Sequence, residues 1–173
     1  MAITSEAEFT EVYRASYSDL LRFVRRRAHP LNVDDIVGET YLAAWRRRAE
    51  LPVDPRPWLF RTARNAMLNS SRGSNRQTAL AVKIGHADDT ARFAGTNELD
   101  QRIDLIAAWR ELPAADQEVL ALSVWEDLST KDAAATLGYS RAAYAMRLTR
   151  AKRALAALLA TPATGPIALV HNS

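Results

Sequence analysis

Apolar residues recur at three- and four-residue steps in the first part of the chain, which places them on one face of an α-helix. The first segment is expected to end before Pro30, because proline disfavours helix in the residue that precedes it. Asn32 suits the N-cap of the second segment, and Asp54 followed by Pro55 suits the start of the third. The three segments cover residues 8–28, 33–45 and 58–70. They predict a small all-α domain over residues 1–75.

Residues 76–98 have a different character, since small and polar residues interrupt the apolar periodicity. This composition is typical of a linker. We therefore expect a flexible segment here, with no more than a short helical turn over residues 79–84.

A second helical block begins at Leu99 and is expected to break at Pro113. The expected buried face of its first helix consists of Leu99, Ile103, Ile106 and Trp109. No segment shows convincing two-residue alternation, so no sheet is predicted. The predicted fold is all-α, with two small helical domains over residues 1–75 and 99–160, joined by a flexible linker. Residues 161–173 are expected to form a flexible tail.

The most specific local pattern lies in residues 129–155, STKDAAATLGYSRAAYAMRLTRAKRAL. Ser129 and Ser140 each suit the N-cap of a helix. Ala134 is small enough for two helices to cross closely, and Gly138 suits the left-handed backbone that follows a helix. A helix-turn-helix whose second, basic helix enters the major groove of DNA has this pattern. An ordinary helical hairpin with a solvated basic face is the alternative.

Composition narrows the possible functions. Apolar residues make up 48% of the chain, which is too high for a fully disordered protein. The chain has no cysteine, which excludes a disulfide scaffold, a thiolate metal site and a cysteine nucleophile. No catalytic triad, phosphate-binding loop or metal-ligand spacing is present. We therefore expect neither enzymatic activity nor a metal or cofactor.

The charges are unevenly distributed, although 23 Lys and Arg nearly balance 20 Asp and Glu. Residues 55–87 carry six basic and no acidic residues, residues 99–139 carry three basic and eight acidic residues, and residues 140–173 carry five basic and no acidic residues. Two separate basic segments predict two contacts with a polyanion such as DNA, or else two solvated helix faces.

The N-terminal residues lack the pattern of a signal peptide. The longest strongly apolar stretch, residues 154–160, is far shorter than the roughly 20 residues that span a bilayer. A soluble, cytoplasmic protein without membrane insertion is expected.

Three stretches, in this order, resemble bacterial RNA polymerase sigma factors of the extracytoplasmic-function (ECF) family. VDDIVGETYLAAWRRR (33–48) resembles the region that binds the clamp coiled coil of core RNA polymerase. RPWLFRTARN (56–65) resembles the segment that recognises and melts the minus-10 promoter element, and the helix-turn-helix resembles the domain that reads the minus-35 element. The resemblance implies a subunit that directs promoter recognition, DNA melting and transcription initiation. It further implies a monomer when free and an anti-sigma factor as a probable regulatory partner.

The resemblance also assigns residues to three surfaces. The polymerase-binding residues are Asp34, Asp35, Val37, Glu39, Leu42 and Trp45. The minus-10 residues are Arg56, Arg61, Arg64, Asn65 and Asn69. The minus-35 residues are Arg141, Ala145, Met146, Arg147, Thr149, Arg150 and Lys152.

Each assignment implies a chemical role. Asn65 is suited to hydrogen-bond the edge of a flipped base, or else it is a helix residue that faces water. Arg61 and Arg64 would hold single-stranded phosphates, and Arg150 would read guanine. Trp45 is equally consistent with a polymerase contact and with a core position.

Some residues depart from the family pattern. Gly38 stands where the family usually has glutamine, and Ala145 and Met146 replace polar or basic residues, so the minus-35 sequence cannot be inferred from relatives. The resemblance implies that the linker runs toward the polymerase active site, where Asp88 and Asp89 would imitate nucleic-acid charge or simply face solvent.

Two other classes of function remain open at this point. One is a helix-turn-helix transcription regulator that binds a palindromic site as a dimer, without polymerase. The other is a helical adaptor whose basic faces bind protein; its binding would depend little on salt, unlike phosphate contacts.

Overall fold

The computed structural model of the chain describes residues 3–70, 79–85, 87–94 and 99–161. This described part consists of eight α-helices and two short 3₁₀ turns, with no strand, which confirms the predicted all-α fold. The helices are α1 (Glu6–Arg25), α2 (Val33–Arg46), α3 (Arg56–Ser70), α4 (Ala87–Ala94), α5 (Leu99–Glu111), α6 (Ala114–Val124), α7 (Thr130–Leu137) and α8 (Arg141–Ala160). The predicted tail lies outside the described residues, except for Thr161.

Local hydrogen bonds explain where the first helices begin. Helix α1 starts at a capping box in which the Ser5 hydroxyl accepts from the Glu8 amide and the Glu8 carboxylate accepts from the Ser5 amide. Helix α3 starts two residues before the predicted position, where the Asp54 carboxylate accepts from the Arg56 amide at 3.1 Å. Asn32 occupies the predicted N-cap position of α2, but its side chain makes no capping hydrogen bond, and a 3₁₀ turn over Pro30–Asn32 leads into the helix.

The linker is more structured than its composition suggests. Residues 79–85 form no helical turn; they run extended, with Leu80, Val82 and Ile84 buried and the intervening residues exposed. The Lys83 amide donates to the Arg26 carbonyl at 2.8 Å, and the Val82 amide donates to the Gln117 side chain at 2.8 Å. This segment is therefore hydrogen-bonded both to the end of α1 and to α6. Helix α4 follows it and also lies within the predicted linker.

The buried face of α5 agrees with the predicted one only in part. Trp109 is buried and Ile106 is partly buried, as predicted, but Leu99 and Ile103 are exposed, and Leu105 and Ala108 are buried instead. The Trp109 indole donates to the Val82 carbonyl at 2.6 Å. The buried face of α5 is therefore the one that packs on the linker segment 79–85. The periodicity of α5 alone does not predict this contact.

The helices α1–α3 and α5–α8 form two domains that pack against each other. A single core cluster joins side chains of both domains, among them Phe60 and Met67 of α3, Leu122 of α6 and Ala133 of α7. The Thr136 hydroxyl on α7, which donates to the Asp132 carbonyl at 2.9 Å, also lies 3.4 Å from the Pro57 carbonyl of α3. The chain thus adopts a closed arrangement in which α3 faces α6 and α7.

Replacing Gly38 and Gly138 by alanine should change the stability of the fold in opposite directions. Gly38 lies within α2 with nothing within 4 Å of an added Cβ, so Gly38→Ala should stabilise the fold by about 0.5–1 kcal/mol. Gly138 has φ +74° and equally open surroundings, so the strained backbone should make Gly138→Ala cost about 1–2 kcal/mol. Urea unfolding measures both, and equal stability of the two variants would contradict this assignment.

Candidate polymerase and nucleic-acid surfaces

The exposed face of α2 carries most of the residues that were predicted to bind polymerase. Asp34, Asp35 and Glu39 are exposed, and Leu42 is half exposed. Both aspartates lie in the first turn of the helix, where the helix dipole favours negative charge. The face therefore combines carboxylates with an apolar edge.

Two other residues of the predicted polymerase set are placed differently. Val37 is buried in the core of the first domain, so it offers no surface to a partner in this structure. Trp45 is half-buried; its ring lies edge-on to Phe9 at 5.1 Å, and the Arg48 guanidinium lies over it at 4.3 Å. The position of Trp45 is compatible with both of its interpretations, as a core residue and as a contact.

Helix α3 presents a row of polar side chains. Arg61, Asn65 and Asn69 are exposed and follow one another at four-residue steps, which places them along one face. Arg56, at the start of the helix, is half-buried and lies 3.4 Å from the Asp19 carboxylate and 3.5 Å from that of Asp54. Arg61, Asn65 and Asn69 therefore form an exposed polar row, whereas Arg56, five residues before Arg61, lies about 140° around the helix from it and faces Asp19.

Arg64, the fifth residue of the predicted minus-10 set, does not belong to this surface in the closed arrangement. Its side chain is only 10% exposed, and its Nε and Nη2 donate to the two carboxylate oxygens of Glu118, each at 2.8 Å. Glu118 lies on α6 of the other domain. The predicted phosphate contact of Arg64 therefore requires the two domains to separate.

Further ion pairs cross the same junction. The Arg26 guanidinium donates to the Asp89 carboxylate at 2.7 Å, and the Arg27 guanidinium donates to the Glu126 carboxylate at 3.1 Å. Asp89 is thus buried and paired, contrary to the expectation of a solvated or nucleic-acid-like linker charge. Burial lowers the pKa of Arg27, and the nearby Glu126 carboxylate opposes that shift.

The sequence points to Glu118 and Glu126 only through the excess of acidic residues over residues 99–139. In the structure, these two carboxylates pair with Arg64 and Arg27 of the first domain.

Helix α8 exposes its whole predicted set. Arg141, Ala145, Met146, Arg147, Thr149, Arg150 and Lys152 are all exposed. The Arg147 guanidinium lies over the Tyr139 ring at 4.7 Å, and the Thr149 hydroxyl donates to the Ala145 carbonyl at 3.0 Å. Arg141, Arg150 and Lys152 present exposed positive charges, as a helix that enters a groove of DNA requires.

The opposite face of α8 fixes its position. The Ser140 hydroxyl accepts from the Ala143 amide, and Gly138 takes the expected left-handed conformation at the end of α7. The Tyr144 hydroxyl donates to the Val119 carbonyl at 2.8 Å, and burial raises the pKa of Tyr144 to about 12. The interior contacts and both caps hold the basic face outward.

The described part of the chain holds no group of three or more His, Asp or Glu side chains that is arranged to bind a metal ion. Within the same residues, no helix is both long enough and apolar enough to cross a bilayer.

The fold defines a class of two-domain, all-α proteins with a C-terminal helix-turn-helix and an exposed basic face on its second helix. The family models make the assignment specific. Residues 12–77 match the model "Sigma-70 region 2", and residues 102–155 match "Sigma-70, region 4".

Curated relatives agree with these matches. The chain is 34% identical over 136 residues to the RNA polymerase sigma factor NccH of Alcaligenes xylosoxydans xylosoxydans, covering 74% of this chain and 73% of that protein. It is 26% identical over 151 residues to the ECF RNA polymerase sigma factor SigM of Bacillus subtilis, covering 86% and 93%.

Solved structures show the same architecture. CnrH, in complex with the cytosolic domain of CnrY, superposes with a TM-score of 0.60 at 26% identity over 90% of each chain. RpoE of Bartonella quintana, in complex with the anti-sigma factor NepR, superposes with a TM-score of 0.63 at 22% identity, covering 90% of this chain and 98% of that one. This chain belongs to the RNA polymerase sigma factors, in their ECF branch, and its function is that of an RNA polymerase-binding sigma factor.

Proposed function

We propose that three exposed surfaces divide the work of an ECF sigma factor in this chain. The α2 face binds core RNA polymerase, the α3 face recognises and melts the minus-10 element, and the α8 face reads the minus-35 element. The observation that carries this proposal is the match to regions 2 and 4 of the family, together with the exposure of the corresponding side chains. The protein contributes binding and no catalysis of its own.

The α2 face suits a basic partner with an apolar groove, such as the clamp coiled coil. Asp34, Asp35 and Glu39 supply the negative charge, and Leu42 supplies the apolar contact. Charge complementarity of this kind mainly speeds association and sets orientation. Neither Val37, which is buried, nor Trp45, which packs on Phe9, is needed for this part of the proposal.

The α3 face suits separated DNA strands. Unpairing a base costs a few kcal/mol, so the protein must compensate by binding the exposed base and the backbone beside it. Asn65 provides a donor and an acceptor for a base edge, with Arg61 one turn before it for the phosphates. Asn69 extends the same path by one turn, and Arg56 is proposed to contact the DNA backbone from the start of the helix, outside this row.

The α8 face suits the major groove. Arg150 is positioned to donate two hydrogen bonds to guanine O6 and N7. Arg141, Arg147 and Lys152 contact phosphates, which orient the helix without specifying sequence. Ala145 and Met146 offer only apolar contact, so thymine methyl groups are the base features they can recognise, while Thr149 can bond to either a base or the backbone.

We further propose that this chain is inhibited by an anti-sigma protein and works in the cytoplasm, where core polymerase is found. The support for an inhibitor is that the similar RpoE was solved in complex with the anti-sigma factor NepR. A dimeric helix-turn-helix regulator would account for α7 and α8 alone and would leave the match over residues 12–77 without a role. The free chain is proposed to be a monomer.

Run-off transcription with purified core polymerase on a genomic promoter library tests the function. Added chain should yield transcripts from a restricted set of start sites, whereas core polymerase alone should yield none of them. Binding of the free chain to palindromic duplex DNA as a dimer, with no effect on polymerase, would instead establish the regulator.

The α3 assignment is tested by Asn65→Ala, because this change removes the proposed base contact from an exposed position. Promoter opening, measured by permanganate reactivity of unpaired thymines, should fall about tenfold or more, a loss in the range of one hydrogen bond to a buried partner. Affinity for core polymerase should be unchanged. Normal opening by the variant would rule out this role for Asn65.

The α8 assignment is tested by Arg150→Ala. Selectivity at one base pair of the upstream element should decrease by about 1–3 kcal/mol, the usual contribution of a bidentate arginine–guanine contact. Competition between promoter variants measures this, and Lys152→Ala is the matched control, since loss of a phosphate contact weakens all sequences alike. The same base preference in the Arg150 variant would refute the contact.

A further inference from the structure

The junction between the two domains has a consistent polarity. In the described part of the chain, the cations of the ion pairs at this junction come from the first domain (Arg26, Arg27 and Arg64), and the carboxylates come from α4, α6 or the turn after α6 (Asp89, Glu118 and Glu126). All of these side chains are 15% exposed or less. By contrast, the side chains of the Arg14–Glu11 ion pair on α1 are mostly exposed. The domains thus meet through buried charge as well as through apolar side chains.

Buried charge makes this junction costly for its size. Removing an ion pair from water costs several kcal/mol per ion, and the attraction between the partners often only balances that cost. Among the described residues, Nε and Nη2 of Arg27 and Nη1 of Arg26 are buried without a hydrogen-bond partner, which adds to the cost. The apolar cluster must therefore supply the attraction between the domains. The ion pairs set their relative orientation, because any other orientation would leave buried charges unpaired.

The Arg64–Glu118 pair is the one that bears on DNA binding. A carboxylate and a phosphate both accept two parallel hydrogen bonds from a guanidinium. Glu118 accepts both such bonds from Arg64, and Arg64 precedes Asn65 on α3. Glu118 thus occupies the position that a phosphate of a bound strand would take if Arg64 were free to reach it.

We propose that the free sigma factor holds itself closed, with Glu118 acting as an internal substitute for DNA phosphate that keeps Arg64 away from promoter DNA. Opening requires a partner whose binding compensates for the apolar contact between the domains, and core polymerase is that partner. Once the domains separate, Arg64 joins Arg61 and Asn65 on the DNA-binding surface. This inference rests on the proposed role of α3 in DNA binding.

The state of the free chain can be measured directly, because the chain contains no cysteine. Val53→Cys in the exposed loop before α3 and Ala135→Cys on the exposed side of α7 place two dyes near the Pro57–Thr136 contact. Energy transfer between the dyes should be high in the otherwise unchanged chain. Glu118→Gln, which leaves the Arg64 charge buried without a counter-charge, should raise the ratio of open to closed chains about tenfold or more.

Two further variants separate the ion pair from general destabilisation. Glu111→Gln makes the same chemical change at an exposed position of α5 and should leave energy transfer unchanged. The double variant Arg64→Met, Glu118→Met replaces both partners by apolar side chains and should stay closed, because such replacements are often neutral or stabilising. Circular dichroism of each variant reports whether its helices are intact.

Opening should also expose Arg64 to DNA. The Glu118→Gln chain should bind a single-stranded 12-nucleotide DNA more tightly than the parent, with a salt dependence steeper by about 0.7 in log–log slope for one added phosphate contact. Unchanged energy transfer in Glu118→Gln, opening of the double variant, or unchanged DNA binding by an opened chain would each overturn the inference.

These results are independent of the run-off assay. A closed chain that fails to direct transcription would remove the proposed function, whereas a transcriptionally active chain that is already open when free would remove only the internal lock.

Discussion

The bidentate contact between Arg64 and Glu118 constrains how the two domains meet, because a buried guanidinium accepts only an arrangement that gives it a matching partner. A guanidinium that is taken out of water must be matched by an acceptor of the right geometry, and α6 supplies that acceptor across the domain junction. Closing the chain therefore fixes which face of α3 is hidden and which is shown. The polar row on α3 remains exposed, while Arg64 of the same helix faces inward and is paired with Glu118 of the other domain.

In the closed chain, the proposed binding faces of α2 and α8 are already exposed, whereas that of α3 is incomplete. Helix α8 needs no rearrangement, since Ser140, Gly138 and Tyr144 already hold its basic face toward solvent. The α2 face is likewise accessible, so polymerase can dock first. In the proposed account, the α3 surface is complete only after the domains part, so promoter melting follows polymerase binding. Because buried charge offsets part of the stability that the apolar contact gives, the closed arrangement can be separated by a partner more easily than a purely apolar junction could.

Local rules predicted the helices other than α4, and they predicted the caps of α7 and α8, because Ser129, Ser140 and Gly138 act on their own neighbours in sequence. The interior of α8 followed in the same way from the spacing of Tyr144 and Leu155. The sequence failed where contacts are long-range. Residues 79–85 alternate between buried and exposed, yet this pattern looked like linker because its partners, Arg26 and Gln117, are distant in the chain. The inward turn of Arg64 was unpredictable for the same reason, since only the packing of α6 against α3 places a carboxylate beside it.

The most direct test of this account is the distance between the two domains in the chain labelled through Val53→Cys and Ala135→Cys and otherwise unchanged, before and after core polymerase is added. The account predicts a single compact population for the free chain and a shift to wide separation on saturation with polymerase, at constant helix content. A free chain that already shows wide separation, or a polymerase-bound chain that keeps its compact distance, would contradict it.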